Sequence, residues 1–105
     1  MSTPRRGEVW WGDVEGSGSR PFLVMTRDAA IDVMHSVVAA PLTRSARGIP
    51  SELSLGPEDG VPQACVASFD NLRVVRKAWL TRKVTGLSDE RMVEACAALR
   101  AALAC

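Results

Sequence analysis

A single histidine, His35, is all that the 105-residue sequence offers, which excludes a two-histidine ribonuclease mechanism and any metal site built from several imidazoles. Tyrosine is absent and other aromatics are few, so the core must be mainly aliphatic, as in an ordinary globular domain. No apolar run approaches the ~20 residues that span a bilayer, and MSTPRRGE lacks the apolar centre of a signal peptide. The chain is therefore expected in the cytoplasm, with no membrane partner. Cys65, Cys96 and Cys105 are odd in number and follow no CxxC or Cys/His spacing, which argues against a disulfide framework and a zinc site. Cys65 and Cys96 read as small buried hydrophobes, and Cys105 as a free terminal thiol. HExxH, GxSxG, P-loop and GxGxxG patterns are missing. Asp28 and Asp32 form an i, i+4 carboxylate pair with no evident third acid for magnesium. No metal and no cofactor is expected.

What is present fits one domain, residues 1–105, large enough for a single modest core. The net charge is only +1, yet RVVRKAWLTRK (73–83) carries Arg73, Arg76, Lys77, Arg82 and Lys83 without an acid. TRSARGIP adds Arg44 and Arg47. For a polyanionic ligand, distribution matters more than the sum.

Strand signals follow one another at short intervals. EVWWGDV (8–14) is a first strand, bounded by Gly7 and the EGSGS run. FLVMT (22–26) is a continuous apolar run, expected to be buried on both faces. Asp28 is expected to N-cap a helical turn or two. SVVAAPLT (36–43) is a third strand whose Pro41 cannot donate to a ladder, so an irregularity is expected just before Thr43. ELSL (52–55), ACVASF (64–69), the RVV segment and Leu80 to Val84 complete five to seven short strands, the pattern of a small barrel or sandwich. The period then changes: Ser88 is an N-cap, Asp89 and Glu90 occupy the first turn, and Met92, Cys96, Leu99 and Leu103 recur at spacings of three and four. A helix over about 88–103 is expected to pack that stripe on the sheet, giving a mainly β, α+β fold.

The chemistry left to such a chain is that of arginines, hydroxyls and backbone amides, which suits phosphate. A guanidinium presents a planar, permanently charged fork to two phosphate oxygens. RNA carries its own nucleophile in the 2′-hydroxyl, so a site need only align that group and stabilise the charge developing at phosphorus. Trp10 and Trp11 point to opposite faces of one strand, one for the core and the other, taken as Trp11, to stack on a base.

The order RRGEVWWGDV, Gly/Ser loop, SRPFLVMTRD, VVAAPLTRS, ASFDNLRVVRKAWL and GLSDERMVEACAALRAAL resembles the MazF/PemK family of toxin endoribonucleases from bacterial toxin-antitoxin systems, over almost the whole chain. The resemblance implies a small SH3-like (CcdB/PemK-like) β-barrel with a C-terminal α-helix, acting as a homodimer. It implies metal-independent, sequence-specific cutting of single-stranded RNA to 2′,3′-cyclic phosphate and 5′-hydroxyl ends, blocked by a cognate MazE-like antitoxin whose tail lies across the RNA groove. By the same resemblance the catalytic pair is Arg20, from the RP motif, and Thr43, at the end of the PLT strand. Trp11, Ser19, Arg44, Arg47, Asn71 and Arg73 are the expected RNA contacts. Gly16 to Ser19 are expected to act as a mobile lid over them. With a pKa above ~12, Arg20 suits an electrostatic clamp and proton donor better than a base. For the 2′-hydroxyl proton, His35 and solvent hydroxide stay open. Asn71 stands where many members have Gln, and Arg76 where an Asp often follows; both bear on the preferred cut site. Two other classes remain: a non-enzymatic toxin of the same fold that poisons DNA gyrase, and an SH3-like RNA-binding module without catalysis.

Overall fold

The computed structural model describes residues 3–16 and 18–105. Met1, Ser2 and Ser17, the last within the expected lid, lie outside the described residues. Seven strands and two α-helices follow in the order β1 (Glu8–Val14), β2 (Gly18–Val24), α1 (Asp28–Ile31), β3 (Ser36–Thr43), β4 (Glu52–Leu55), β5 (Cys65–Ser68), β6 (Arg73–Arg76), β7 (Leu80–Gly86) and α2 (Asp89–Leu103). Every strand expected from the sequence is present. The start of β2 is the main revision. Gly18 and Ser19 pair with Val14 and Asp13 of β1, so the loop expected to be a mobile lid is, in its described part, a hairpin end. Ladder hydrogen bonds there outweigh the flexibility of a Gly/Ser composition.

All strand pairs are antiparallel, and the sheet runs β4-β5-β3-β2-β1-β7 with β6 alongside β3. Strand β3 organises it. One edge pairs with β2 through residues 39–41. The other edge pairs with β6 through residues 36–39 and then with β5 through Leu42 and Thr43. Pro41 falls where that edge changes partner, which is the irregularity expected from its missing N–H.

The barrel implied by the resemblance is not closed: among the described residues no ladder joins β4 to β7. Side chains bridge the seam instead. Thr85 of β7 donates its hydroxyl to the carbonyl of Asp59, in the 3₁₀ turn Pro57–Asp59 after β4, at 3.0 Å. Arg91 of α2 donates to the Asp59 carboxylate at 3.0 Å and to the Ser54 carbonyl on the open edge of β4. A carbonyl that would otherwise sit on an unpaired edge is thereby capped. Gly60 closes that turn at φ +93, and a Cβ there would collide with the Thr85 side chain.

Two apolar clusters fill the two faces of the bent sheet. Val9, Leu23, Ala40 and Leu42 meet Ala95 and Ala98 of α2. Trp10, Phe22, Val24, Val37 and Val75 form the other cluster with Ile31. Strand β2 contributes Phe22, Leu23 and Val24 alternately to both, each fully buried, as its unbroken apolar run indicates.

Helix α2 begins as expected, with Ser88 accepting from the Arg91 amide at 3.2 Å. Its deepest residues are Ala95 and Ala98, whereas Leu103 is 57% exposed, because the helix outruns the sheet. Met92, Cys96 and Leu99 pack on the core only partly buried. Cys65 likewise is only partly buried. Asp28 does not N-cap α1. Arg27 holds that position without a side-chain cap, while Asp28 accepts from the Arg6 amide at 2.7 Å. Asp28 and Asp32 both face Arg5, at 3.4 and 2.7 Å, an ion-pair role.

Candidate functional site

Arg20 and Thr43 come from β2 and from the end of β3, and both strands are anchored by core residues within two positions of them. Phe22, next but one to Arg20, is fully buried. Leu42, beside Thr43, is 5% exposed. The two half-buried polar side chains therefore stand on rigid backbone at the rim of the sheet.

Two depressions share this pair as their common wall. The first, about 370 Å³, is mostly apolar, walled by Trp11, Pro21, Val61 and Pro62, with Ser19 and Arg44 also at its border. The second, about 650 Å³, is polar and takes in Arg47, Asn71 and Arg73. All eight residues singled out from the sequence thus line one groove with Arg20 and Thr43 at its middle.

The hydroxyl of Thr43 accepts from the Ser45 amide at 3.2 Å, which orients the oxygen and leaves its proton to be given to a ligand. Ser19 donates its own hydroxyl to Asp13 across the hairpin, so it offers the groove lone pairs. Arg73 reaches the Glu15 carbonyl at 3.5 Å and ties β6 to the β1–β2 turn. Trp11 faces the first depression, and Arg82, its register partner on β7, stands 5.8 Å from the ring centroid. That is within the range of a cation–π contact. Trp10, on the opposite face, is 4% exposed. Its indole N–H is satisfied by Glu8 at 2.9 Å.

The basic run divides in its duties. Arg73 reaches the groove, and Arg82 backs Trp11. Lys77 donates to the Ile31 carbonyl at the end of α1, and Lys83 pairs with Glu8 at 3.0 Å. Arg76 and His35 line neither depression, so His35 is not brought to the site as a base. The thiol of Cys65, at the floor of the first depression, is pushed above its ordinary pKa by burial and then by the charge of Asp59. It is a neutral lining group rather than a nucleophile. No group of three or more His, Cys, Asp or Glu able to hold a metal occurs among the described residues.

Comparison with known proteins covers nearly the whole chain. The family model described as "PemK-like, MazF-like toxin of type II toxin-antitoxin system" matches residues 5–103. The chain belongs to the PemK-like, MazF-like toxin family. Relatives of this toxin include the probable endoribonuclease MazF2 of Mycobacterium tuberculosis, 45% identical over 96% of the chain and 99% of the relative. The probable endoribonuclease MazF5 of the same organism is 39% identical over 97% and 94%. Among solved structures, a mycobacterial endoribonuclease in complex with its cognate antitoxin superposes with a TM-score of 0.86 at 31% identity, covering 96% of this toxin and 95% of that chain.

Sequence reasoning missed two acids in the toxin's groove, Glu52 and Asp70, and an amide, Gln63. Glu52 accepts from the amides of Arg47 and Gly48 at 2.9 and 3.0 Å, which fixes the loop that carries the arginines. Asp70 is held by the Ser51 hydroxyl at 2.5 Å. A Glu five residues beyond Arg47 was the available signal for the loop clamp. Nothing local marks Asp70 or Gln63.

Proposed function

We propose that this toxin is an endoribonuclease that cuts single-stranded RNA by attack of the substrate's own 2′-hydroxyl. The observation that carries the reading is the shared wall: one arginine and one hydroxyl stand between two depressions, where a phosphate with a nucleotide on either side would lie. The guanidinium of Arg20 pairs with the non-bridging oxygens and gains strength as charge builds on phosphorus. Thr43 donates a hydrogen bond from its hydroxyl to a phosphate oxygen. The 2′-oxygen forms a bond to phosphorus and loses its proton to solvent. The bond from phosphorus to the 5′-oxygen breaks and that oxygen takes up a proton from solvent, leaving a 2′,3′-cyclic phosphate and a 5′-hydroxyl. Each step uses groups that this chain, its substrate or solvent supplies, without a metal. The names of the relatives favour this over the gyrase-binding alternative.

The reading extends to two protein partners. A MazE-like antitoxin would occupy the same cationic groove, as a polyanion competitor. A second copy is the proposed partner of the apolar edge formed by Val38 and Val74. These are cross-strand neighbours, 39% and 65% exposed. Cytoplasmic residence follows from an RNA target.

The test is incubation of the purified protein with an unstructured RNA in EDTA, beside an Arg20→Ala variant. Cleavage with 5′-hydroxyl ends is expected from the wild type. A loss of roughly 10²- to 10³-fold is expected from the variant, as for a preorganised oxyanion donor. Cutting that needs a divalent ion, or a fully active variant, would overturn the mechanism.

A further inference from the structure

We infer that the depression beside Trp11 is a nucleobase pocket in which Gln63 reads the edge of one base flanking the cut; this rests on the nuclease reading above. The volume, about 370 Å³, lies at the lower part of the range of small-ligand sites, about 300–1,000 Å³. Its walls are flat and apolar: the Trp11 indole, kept in place by Arg82, and the rings of Pro21 and Pro62. Such walls take any base by stacking, without distinguishing among them. Discrimination needs a polar group at the rim with its donors and acceptors uncommitted. Gln63 is that group, an exposed residue lining the pocket, and no described residue hydrogen-bonds its amide. It is also held firmly. Val61, two residues before, is 3% exposed, and Cys65, two residues after, pairs with Leu55 in the sheet.

A glutamine amide offers one donor and one acceptor in a plane, and so matches a base edge that presents an acceptor beside a donor. Single-stranded RNA exposes such edges when its bases are splayed onto aromatic side chains. The neighbouring depression, with its arginines and acids, differs in character. Gln63 therefore sets preference at one side of the scissile phosphate only. A good bidentate contact gives roughly 5- to 150-fold discrimination at its position.

The experiment compares wild type, Gln63→Ala and Gln63→Glu on a pool of RNAs with randomised flanks, mapping cut sites from the new 5′-hydroxyl ends. Melting temperatures check that the variants fold. Wild type is expected to show a strong preference at a position adjacent to the cut. Gln63→Ala should flatten that position alone, leaving preferences elsewhere intact. Gln63→Glu offers two acceptors and should move the position towards guanine, whose N1–H and N2–H are adjacent donors. If the wild type cuts selectively and the Gln63→Ala profile is unchanged, the inference fails while the nuclease reading stands. Wild-type cutting with no preference beside the cut also defeats it. A wild type that leaves every RNA intact defeats the nuclease reading itself.

Discussion

Replacing Thr43 with valine removes one oxygen from the groove and little else, which makes it the sharpest probe of the proposed chemistry. Valine keeps the β-branched shape that suits the end of β3. Within the protein it removes the hydrogen bond from the Ser45 amide at 3.2 Å, which lies near solvent and contributes about 0.5–1.5 kcal/mol. In a domain of this size about 1 kcal/mol corresponds to a melting shift of roughly 4–8 °C, so the variant should stay folded at assay temperature. Activity should fall far more. A preorganised donor that acts on charge developing in the transition state contributes roughly 10²- to 10³-fold in rate. The assay is single-turnover cleavage of a mapped RNA with Thr43→Ser in parallel, since serine restores the hydroxyl without the methyl group. Serine should recover most of the rate. A folded valine variant that keeps more than about a tenth of the activity would refute the role given to the hydroxyl. A serine variant as slow as the valine one would assign the effect to packing instead.

Other expectations follow from the same geometry. Gly60→Ala should lower the melting temperature. The left-handed backbone at φ +93 costs a non-glycine residue roughly 1–2 kcal/mol, and the collision with Thr85 disturbs the bridge across the seam; an unchanged melting curve would show that the seam does not contribute. Burial pushes the Glu8 carboxyl up, but hydrogen bonds from the Trp10 indole, Lys83 and the Arg5 amide outweigh it and hold the pKa below its ordinary value. A depressed carboxyl stabilises the fold above its unfolded pKa of about 4.3. That contribution is lost as pH falls through the lower folded value, so melting temperatures below pH ~4.5 should drop more for wild type than for Glu8→Gln. Replacing Arg44 and Arg47 together with alanine should weaken RNA binding across sequences and reduce the slope of log K against log salt by about 0.7 for each phosphate that is no longer neutralised. A salt slope identical to wild type would remove them from the interface.

The strands could be read from local pattern because each is defined by its own residues: EVWWGDV, SVVAAPLT and ELSL coincide with β1, β3 and β4. What the pattern could not carry is pairing between distant segments. Gly18 and Ser19 are ordered by β1, whereas their composition alone points to a loop. The open seam between β4 and β7, and its repair by Thr85 and Arg91, depend on how far the whole sheet bends. Periodicity places Leu103 in the helix stripe but does not say where the sheet beneath it ends. The groove shows the same division. Arg20 and Thr43 were singled out through the resemblance of the RP and PLT motifs, and the fold brings the two to one rim. Glu52, Asp70 and Gln63 come from separate elements and meet the pair only in the folded chain.

In the proposed reaction RNA supplies the nucleophile, and the protein clamps the phosphate and stabilises its charge. The direct measurement is cleavage of one RNA in EDTA against the same strand carrying a single 2′-deoxynucleotide on the 5′ side of the mapped bond. The all-ribose strand should be cut to a cyclic-phosphate end while the substituted strand stays intact yet still binds. Cutting of the deoxy-substituted strand at that bond would contradict the account.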